Sequence, residues 1–183
     1  MNRPTWDDTW LDMADTIARR SLCSRAQVGA VITDPTNQYV VPGYNGPPAG
    51  YVHGSQPCSI WCKRTANLAP APDYSDCYTI HAEANALIKS DYTARKGGTI
   101  YITSHPCWGC AKLIANSGLS RVVVRTATED AHRNPLASYQ FLVECGLTVV
   151  LPEDDQLTFQ LLSGRNTGRQ DWCVPGQLKE EEE

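Results

Sequence analysis

The chain has 183 residues, of which 42% are hydrophobic and 20% charged, the composition of one globular domain with a core of its own. Its 16 Lys and Arg stand against 20 Asp and Glu, and the terminal run Glu180, Glu181, Glu182 and Glu183 accounts for the whole net charge of −4. That balance argues against non-specific nucleic-acid binding, which needs a basic excess; the absence of a secretory leader or of ~18 consecutive apolar residues argues for a soluble, intracellular (cytoplasmic) protein with no membrane partner.

A helix is predicted from Thr5 to about Arg20. Pro4 precedes it, Thr5 and Asp8 match an N-terminal capping signature, and Trp6, Trp10, Met13 and Ile17 recur as one apolar stripe. A β-rich run over 27–33 stops at Asp34 and Pro35, and 39–41 reads as its hairpin partner. From about 42 to 78, Pro and Gly recur too often for long regular elements, so this stretch reads as a long irregular loop, functional or tied down by something other than secondary structure. Helices over 80–90, 107–117 and 136–145 then alternate with strands over 98–103, 121–125 and 148–151. That alternation argues for a layered α/β domain around a mostly parallel sheet covered on both faces. A single domain over 1–155 is expected, followed by a polar extension over 156–183 whose acidic end reads as disordered.

Cys23, Cys58, Cys62, Cys77, Cys107, Cys110, Cys145 and Cys173 form an even set of 8. Without an export signal, metal binding is a better reading than disulfides. Two segments stand out: His81-Ala-Glu83, and Pro106-Cys107-Trp-Gly-Cys110. One imidazole and two thiolates fill three positions of tetrahedral zinc and leave the fourth for water, the open arrangement of a catalytic site. Glu83, two residues beyond His81 at a helix start, can reach that water and shuttle protons. Helix N-termini favour thiolate over thiol, and Pro106 fits just ahead of a helix because it has no N–H to leave unsatisfied. The bland alternative is a structural zinc clip, which has no use for an unligated carboxylate beside the metal. The pattern H-x-E…P-C-x-x-C is the known signature of nucleobase zinc deaminases.

Over roughly 14–151 the chain resembles the deoxycytidylate (dCMP) deaminases of the cytidine deaminase superfamily. The resemblance rests on four segments, 21–32, 43–50, 80–87 and 103–114; the second reads Gly-Tyr-Asn-Gly-x-Pro-x-Gly and looks specific to the dCMP branch. It implies a three-layer fold with a central mixed (mostly parallel) five-stranded sheet flanked by helices. It also implies hydrolytic deamination of dCMP to dUMP with release of ammonia, supplying the thymidylate precursor. By position, His81, Cys107 and Cys110 match the Zn2+ ligands, Glu83 the proton shuttle and Asn45 a hydrogen bond to the sugar. Zinc hydroxide would attack C4 while Glu83 protonates N3, with the backbone around Ala82 and Ser104, His105 and Pro106 reading O2 and the amino group, and His105 lining the pocket.

A phosphate needs cations or helix N–H groups. Arg25 is the leading candidate for that contact, ahead of Arg121 and Arg125. Family members commonly form homo-oligomers, often hexamers, and many respond to dCTP and dTTP, with Mg2+ accompanying such an effector. Some carry a second, structural zinc, for which Cys23, Cys58 and Cys62 with either His53 or Cys77 are the candidates here. Trp108 fits either stacking on the substrate or packing between subunits, and His132 a surface position. Cys145 reads as core and Cys173 has no assignment. The rival activities are deamination of a modified dCMP, dCTP, a free nucleoside, a pyrimidine precursor of riboflavin, or a tRNA or DNA base; outside catalysis, the rival is an inactive zinc-stabilised regulatory module.

Overall fold

The structure is a computed structural model that describes residues 3–62, 76–125 and 135–152. In chain order these form α1 (Trp6–Ala18), β1 (Gly29–Thr33), β2 (Val40–Tyr44), a 3-10 turn (Cys58–Ile60), α2 (Ala82–Lys89), α3 (Tyr92–Arg95), β3 (Thr99–Ile102), α4 (Trp108–Ala115), β4 (Arg121–Val124), α5 (Pro135–Glu144) and β5 (Thr148–Val150). Five strands make a mixed sheet in the order β2-β1-β3-β4-β5. β1 runs antiparallel to both β2 and β3, whereas β3, β4 and β5 are parallel to one another.

Alternation along the strands sends successive side chains to opposite faces. Val31, Tyr101 and Val123 meet Trp10, Leu11 and Ala14 of α1. On the other face Ala30, Ile32, Ile100 and Val122 pack beneath α2, α4 and α5. The result is three layers with all five residues of β1 buried.

The start of α1 is as the sequence predicts: Thr5 and Asp8 form a reciprocal capping box. Its buried face is not. Trp10, Leu11, Ala14 and Ala18 face the sheet, while Trp6 is 52% and Met13 40% exposed. The reason lies across the interface, where a Cβ on Gly29 would come within 1.9 Å of the Ala14 carbonyl oxygen. Backbones that close admit only small residues at the crossing, so α1 seats on alanines and leaves much of its bulk outside. β2 likewise continues through Pro42 to Tyr44. Proline is tolerated there because β2 lies at the edge of the sheet.

The segment after β2 is pinned where it leaves and rejoins the sheet by an antiparallel bridge between Gly46 and Ile80. Inside it, Tyr51 packs its ring against Trp61 and Tyr78. α3 went unpredicted because it is a single turn, initiated by Asp91 accepting from the Ala94 N–H. Among the described residues no helix is long and apolar enough to cross a membrane. The expected extension over 156–183, with Cys173, and also His132 lie outside the described residues.

Candidate active site

Two helices begin at metal-ligand residues. His81 precedes α2 in extended conformation (φ −67°, ψ 156°), and Cys107 precedes α4 in nearly the same one (φ −68°, ψ 165°). Each is therefore the N-cap of its helix, with its side chain over a first turn whose N–H groups lack intrahelical partners. Cys107 Sγ accepts from the Cys110 N–H at 3.5 Å, and Cys110, buried, lies in the first turn of the same helix.

The three side chains converge. His81 Nδ1 lies 3.4 Å from Cys107 Sγ and 3.4 Å from Cys110 Sγ, and all three atoms fall within 4.8 Å of one another. Tetrahedral zinc with Zn–S of ~2.3 Å and Zn–N of ~2.0 Å separates nitrogen and sulfur by about 3.5 Å. The spacing fits such an ion without rearrangement.

The protonation of the pair points the same way. The Cys110 thiol donates to Cys107 and, with His81, draws the Cys107 pKa down to about 3. Cys110 is pushed up by the same hydrogen bond, by burial and by Glu83. Two sulfurs sharing one proton beside an imidazole are a donor set that a divalent cation completes, since it would hold both as thiolates. Glu83, in the first turn of α2, is only 3% exposed, and its carboxyl hydrogen bonds the Cys110 thiol. A carboxylate buried to that degree costs stability unless it is partnered. Its position is beside the ligand cluster.

Asn45 is buried one residue ahead of Gly46, whose bridge to Ile80 leads into α2, and both of its polar ends are in use: Oδ1 accepts from the Val28 N–H at 2.8 Å and Nδ2 donates to the Ala26 carbonyl at 2.9 Å. One amide N–H and one lone pair remain for a ligand. Asn85, which sequence reasoning missed, holds that turn against α2 by donating to the Tyr44 carbonyl at 2.8 Å. The available signal was an asparagine inside a helix two residues after Glu83, where its propensity is poor. Ala82 and Pro106 are buried, and Ser104 is half-buried.

His105 is anchored on the side of α5. Its side chain is 1% exposed and hydrogen bonds the Tyr139 hydroxyl of α5 through Nδ1, the rings meeting edge-on at 5.6 Å. It ties the loop ahead of Cys107 to α5. The arginines also separate. Arg25 is exposed in the segment leading to β1. Arg121 donates to both Asp7 oxygens at 2.8 and 2.6 Å, and Arg125 pairs with Asp12 and, at 2.9 Å, with Asp15. α1 thus neutralises the two weaker phosphate candidates.

The second cysteine group is partly assembled. Cys58 and Cys62 are buried, Cys62 N–H donates to the Cys58 carbonyl at 2.8 Å, and Cys58 N–H donates to Leu22 at 2.9 Å, beside Cys23. Burial, the Cys62 hydrogen bond and the charge of Cys23 push the Cys58 thiol up to about 12. Cys77 is half-buried, and His53 is exposed with its ring against Tyr51. Among the described residues, only His81, Cys107 and Cys110 bring three ligand atoms within 4.8 Å. Cys145, expected in the core, is exposed just past the end of α5. Trp108 is exposed and packs on Phe141 at 5.0 Å.

The model of a protein family described as the cytidine and deoxycytidylate deaminase zinc-binding region matches residues 4–126. Deoxycytidylate deaminase of Mycobacterium phage D29 is 42% identical over 128 residues, which cover 67% of this chain and 96% of the phage protein. The probable deoxycytidylate deaminase of Drosophila melanogaster is 38% identical over 118 residues, 64% of this chain and 58% of the fly protein. The crystal structure of dCMP deaminase from the cyanophage S-TIM5 in complex with dCMP and dUMP aligns with a TM-score of 0.59 at 22% identity, covering 83% of this chain and 100% of that one. At that identity the structural match shows a shared fold.

Proposed function

The chain belongs to the cytidine and deoxycytidylate deaminase family, and on that premise we propose that it hydrolyses the 4-amino group of dCMP, releasing dUMP and ammonia. The observation that carries this reading is the convergence of His81, Cys107 and Cys110 at the spacing of a zinc tetrahedron, with the buried carboxyl of Glu83 against it. Zn2+ held by those three side chains supplies the Lewis acidity that activates water near neutral pH.

The chain's own groups do the rest. Glu83 takes a proton from the attacking water as its oxygen bonds to C4, and passes a proton to N3. It then takes the second proton from the new C4 hydroxyl and delivers it to the amine as the C4–N bond breaks and the C4 carbonyl forms, so that one water is consumed and one ammonia leaves. The first-turn N–H groups around Ala82 donate to O2, and the carbonyls from Ser104 to Pro106 accept from the amino group. Asn45 turns its remaining N–H to the sugar, and Arg25 meets the phosphate.

The same reading places a single deaminase domain over 1–155 in the cytoplasm, in a homo-oligomer on the hexameric plan. dCTP and dTTP act as effectors, bound with Mg2+. A second, structural zinc is assigned to Cys23, Cys58 and Cys62 with His53 or Cys77; the burial of Cys58 and Cys62 and the hydrogen bond between their side chains support it.

Zinc-loaded protein assayed side by side on dCMP, dCTP, deoxycytidine and a single-stranded oligonucleotide should release ammonia fastest from dCMP. Glu83→Gln should keep its zinc and lose about 10²–10⁴-fold in kcat. No ammonia from any cytosine nucleotide would refute the proposal.

A further inference from the structure

α2 and α4 meet at both ends. Their N-termini come together at His81, Cys107 and Cys110, and their C-termini are joined by one side chain, Arg95. Its Nη1 donates to the Ser90 carbonyl at 2.7 Å and lies 3.0 Å from Ser90 Oγ, at the end of α2. Its Nε donates to the Ser117 carbonyl at 2.9 Å, just past the end of α4. The arginine is itself held in place: Asp91 caps α3 by accepting from the Ala94 N–H at 2.9 Å, and the guanidinium lies 5.4 Å from the centre of the Tyr92 ring.

Two helices side by side with the same polarity bring like poles together. At the N-terminal end the ligand sulfurs, as thiolates, answer the positive poles. At the C-terminal end the partial negative charges of two sets of carbonyls face each other, and a fixed cation between them offsets the repulsion. A guanidinium suits this task because its rigid fork spreads donors over separate nitrogen atoms, here Nε and Nη1, whereas an ammonium offers all of its donors from one point.

The geometry follows. Each helix has 8 residues, hence a length of about 12 Å, so a tilt at one end displaces the other. A metal site tolerates only ~0.2 Å of error in its ligand distances.

We propose that Arg95 is a positioning residue for the metal centre: by clamping the C-terminal ends of α2 and α4 it holds His81 against Cys107 and Cys110 at the separation a tetrahedral cation requires. This rests on the assignment of those three residues as zinc ligands. Residues that orient ligands from outside typically cost 10- to 100-fold in metal affinity when removed, and Arg95, acting along the helices, belongs at the lower end.

The test is Zn2+ affinity of the full chain, measured by competition with a chromophoric chelator and counting only the ion lost in His81→Ala. Arg95→Met is expected to bind that ion about tenfold more weakly. Arg95→Lys should fall with it, because one ammonium reaches only one helix end; if Arg95→Met does not fold, Arg95→Lys decides alone. Arg121→Met, which breaks the pair with Asp7 on the α1 side, should lose thermal stability and keep wild-type affinity. Wild-type affinity in Arg95→Lys, or an equal loss in Arg121→Met, overturns the proposal. Unchanged zinc stoichiometry in His81→Ala would instead overturn the ligand assignment itself.

Discussion

Gly43→Ala tests whether the seating of α2 on β2 sets the geometry of the metal centre. A Cβ at this position would lie 2.4 Å from the Ala82 carbonyl oxygen, 2.6 Å from the Ala86 nitrogen and 2.9 Å from the Ala86 Cβ, all on α2. Ordinary contact starts near 3.4 Å, so the helix must back away by about 1 Å, and these atoms offer no flexible end that could yield instead. His81 and Glu83 begin that helix and move with it. Overpacking of this kind costs about 1–3 kcal/mol of stability, while a ~1 Å misplacement at a reacting centre costs on the order of 10²-fold in rate. Gly29→Ala is the matched comparison. Its Cβ would lie 1.9 Å from the Ala14 carbonyl oxygen, a worse overlap, but the displaced element is α1, which carries no ligand. Thermal unfolding and kcat/KM for dCMP on both zinc-loaded variants separate the two effects. Gly43→Ala should lose about a hundredfold in kcat/KM, and Gly29→Ala should lose at least as much Tm with kcat/KM within about tenfold of wild type. Wild-type kcat/KM in a destabilised Gly43→Ala protein would refute the reasoning.

Other outcomes follow from the same contacts. Arg25→Ala should raise KM for dCMP about 10- to 100-fold, the worth of a charge-assisted contact, and leave deoxycytidine kinetics nearly unchanged; equal damage to both substrates means Arg25 does not hold the phosphate. Fully loaded protein should contain two zinc ions per chain by metal analysis, and Cys58→Ser should lose one of them; one ion in the wild type ends the second-site proposal. Asp7 is held below the usual carboxylate range chiefly by its hydrogen bond from Arg121. A carboxylate whose folded pKa is depressed stabilises the fold above its unfolded value of ~3.9 and loses that contribution as pH falls through the folded value. Asp7→Asn should therefore lower stability at pH 7, by no more than ~1 kcal/mol for so exposed a pair, read as a lower Tm, and the gap to wild type should close below about pH 4. A gap that persists into acid would exclude the ion pair as its source.

What was legible in the sequence was local. Thr5 with Asp8, His81 with Glu83, and Cys107 with Cys110 each act within one helical turn, so spacing alone predicted the start of α1 and the grouping of the ligands. What was missed depends on contacts across the chain. The stripe on α1 was misjudged because Gly29, on the sheet, decides which residues fit against it. Arg121 looked free for a phosphate, yet its partner Asp7 lies 114 positions away. The partner of His105 was also out of view, because Tyr139 belongs to another helix 34 positions away. Cys145 follows the apolar rhythm of α5, but the helix stops at Glu144 and leaves it in solvent.

The caps of the four helices of known start divide by role. α1 and α3 begin with Thr5 and Asp91, side chains that satisfy first-turn N–H groups well. α2 begins with His81, which makes no side-chain cap, and α4 with Cys107, whose sulfur accepts a single long bond. Replacing a good cap typically costs ~1 kcal/mol, so both site helices give up stability that Ser or Asp at the same positions would supply. The sacrifice has a use: imidazole and thiolate face a shared point, while the uncapped N–H groups and positive poles of both helices are directed toward anions. A ligand that binds only the folded chain returns stability in proportion to the logarithm of its concentration over Kd. Cation binding at this point therefore compensates for the two weak caps, and the positions where the helices begin are also the positions that make the site reactive.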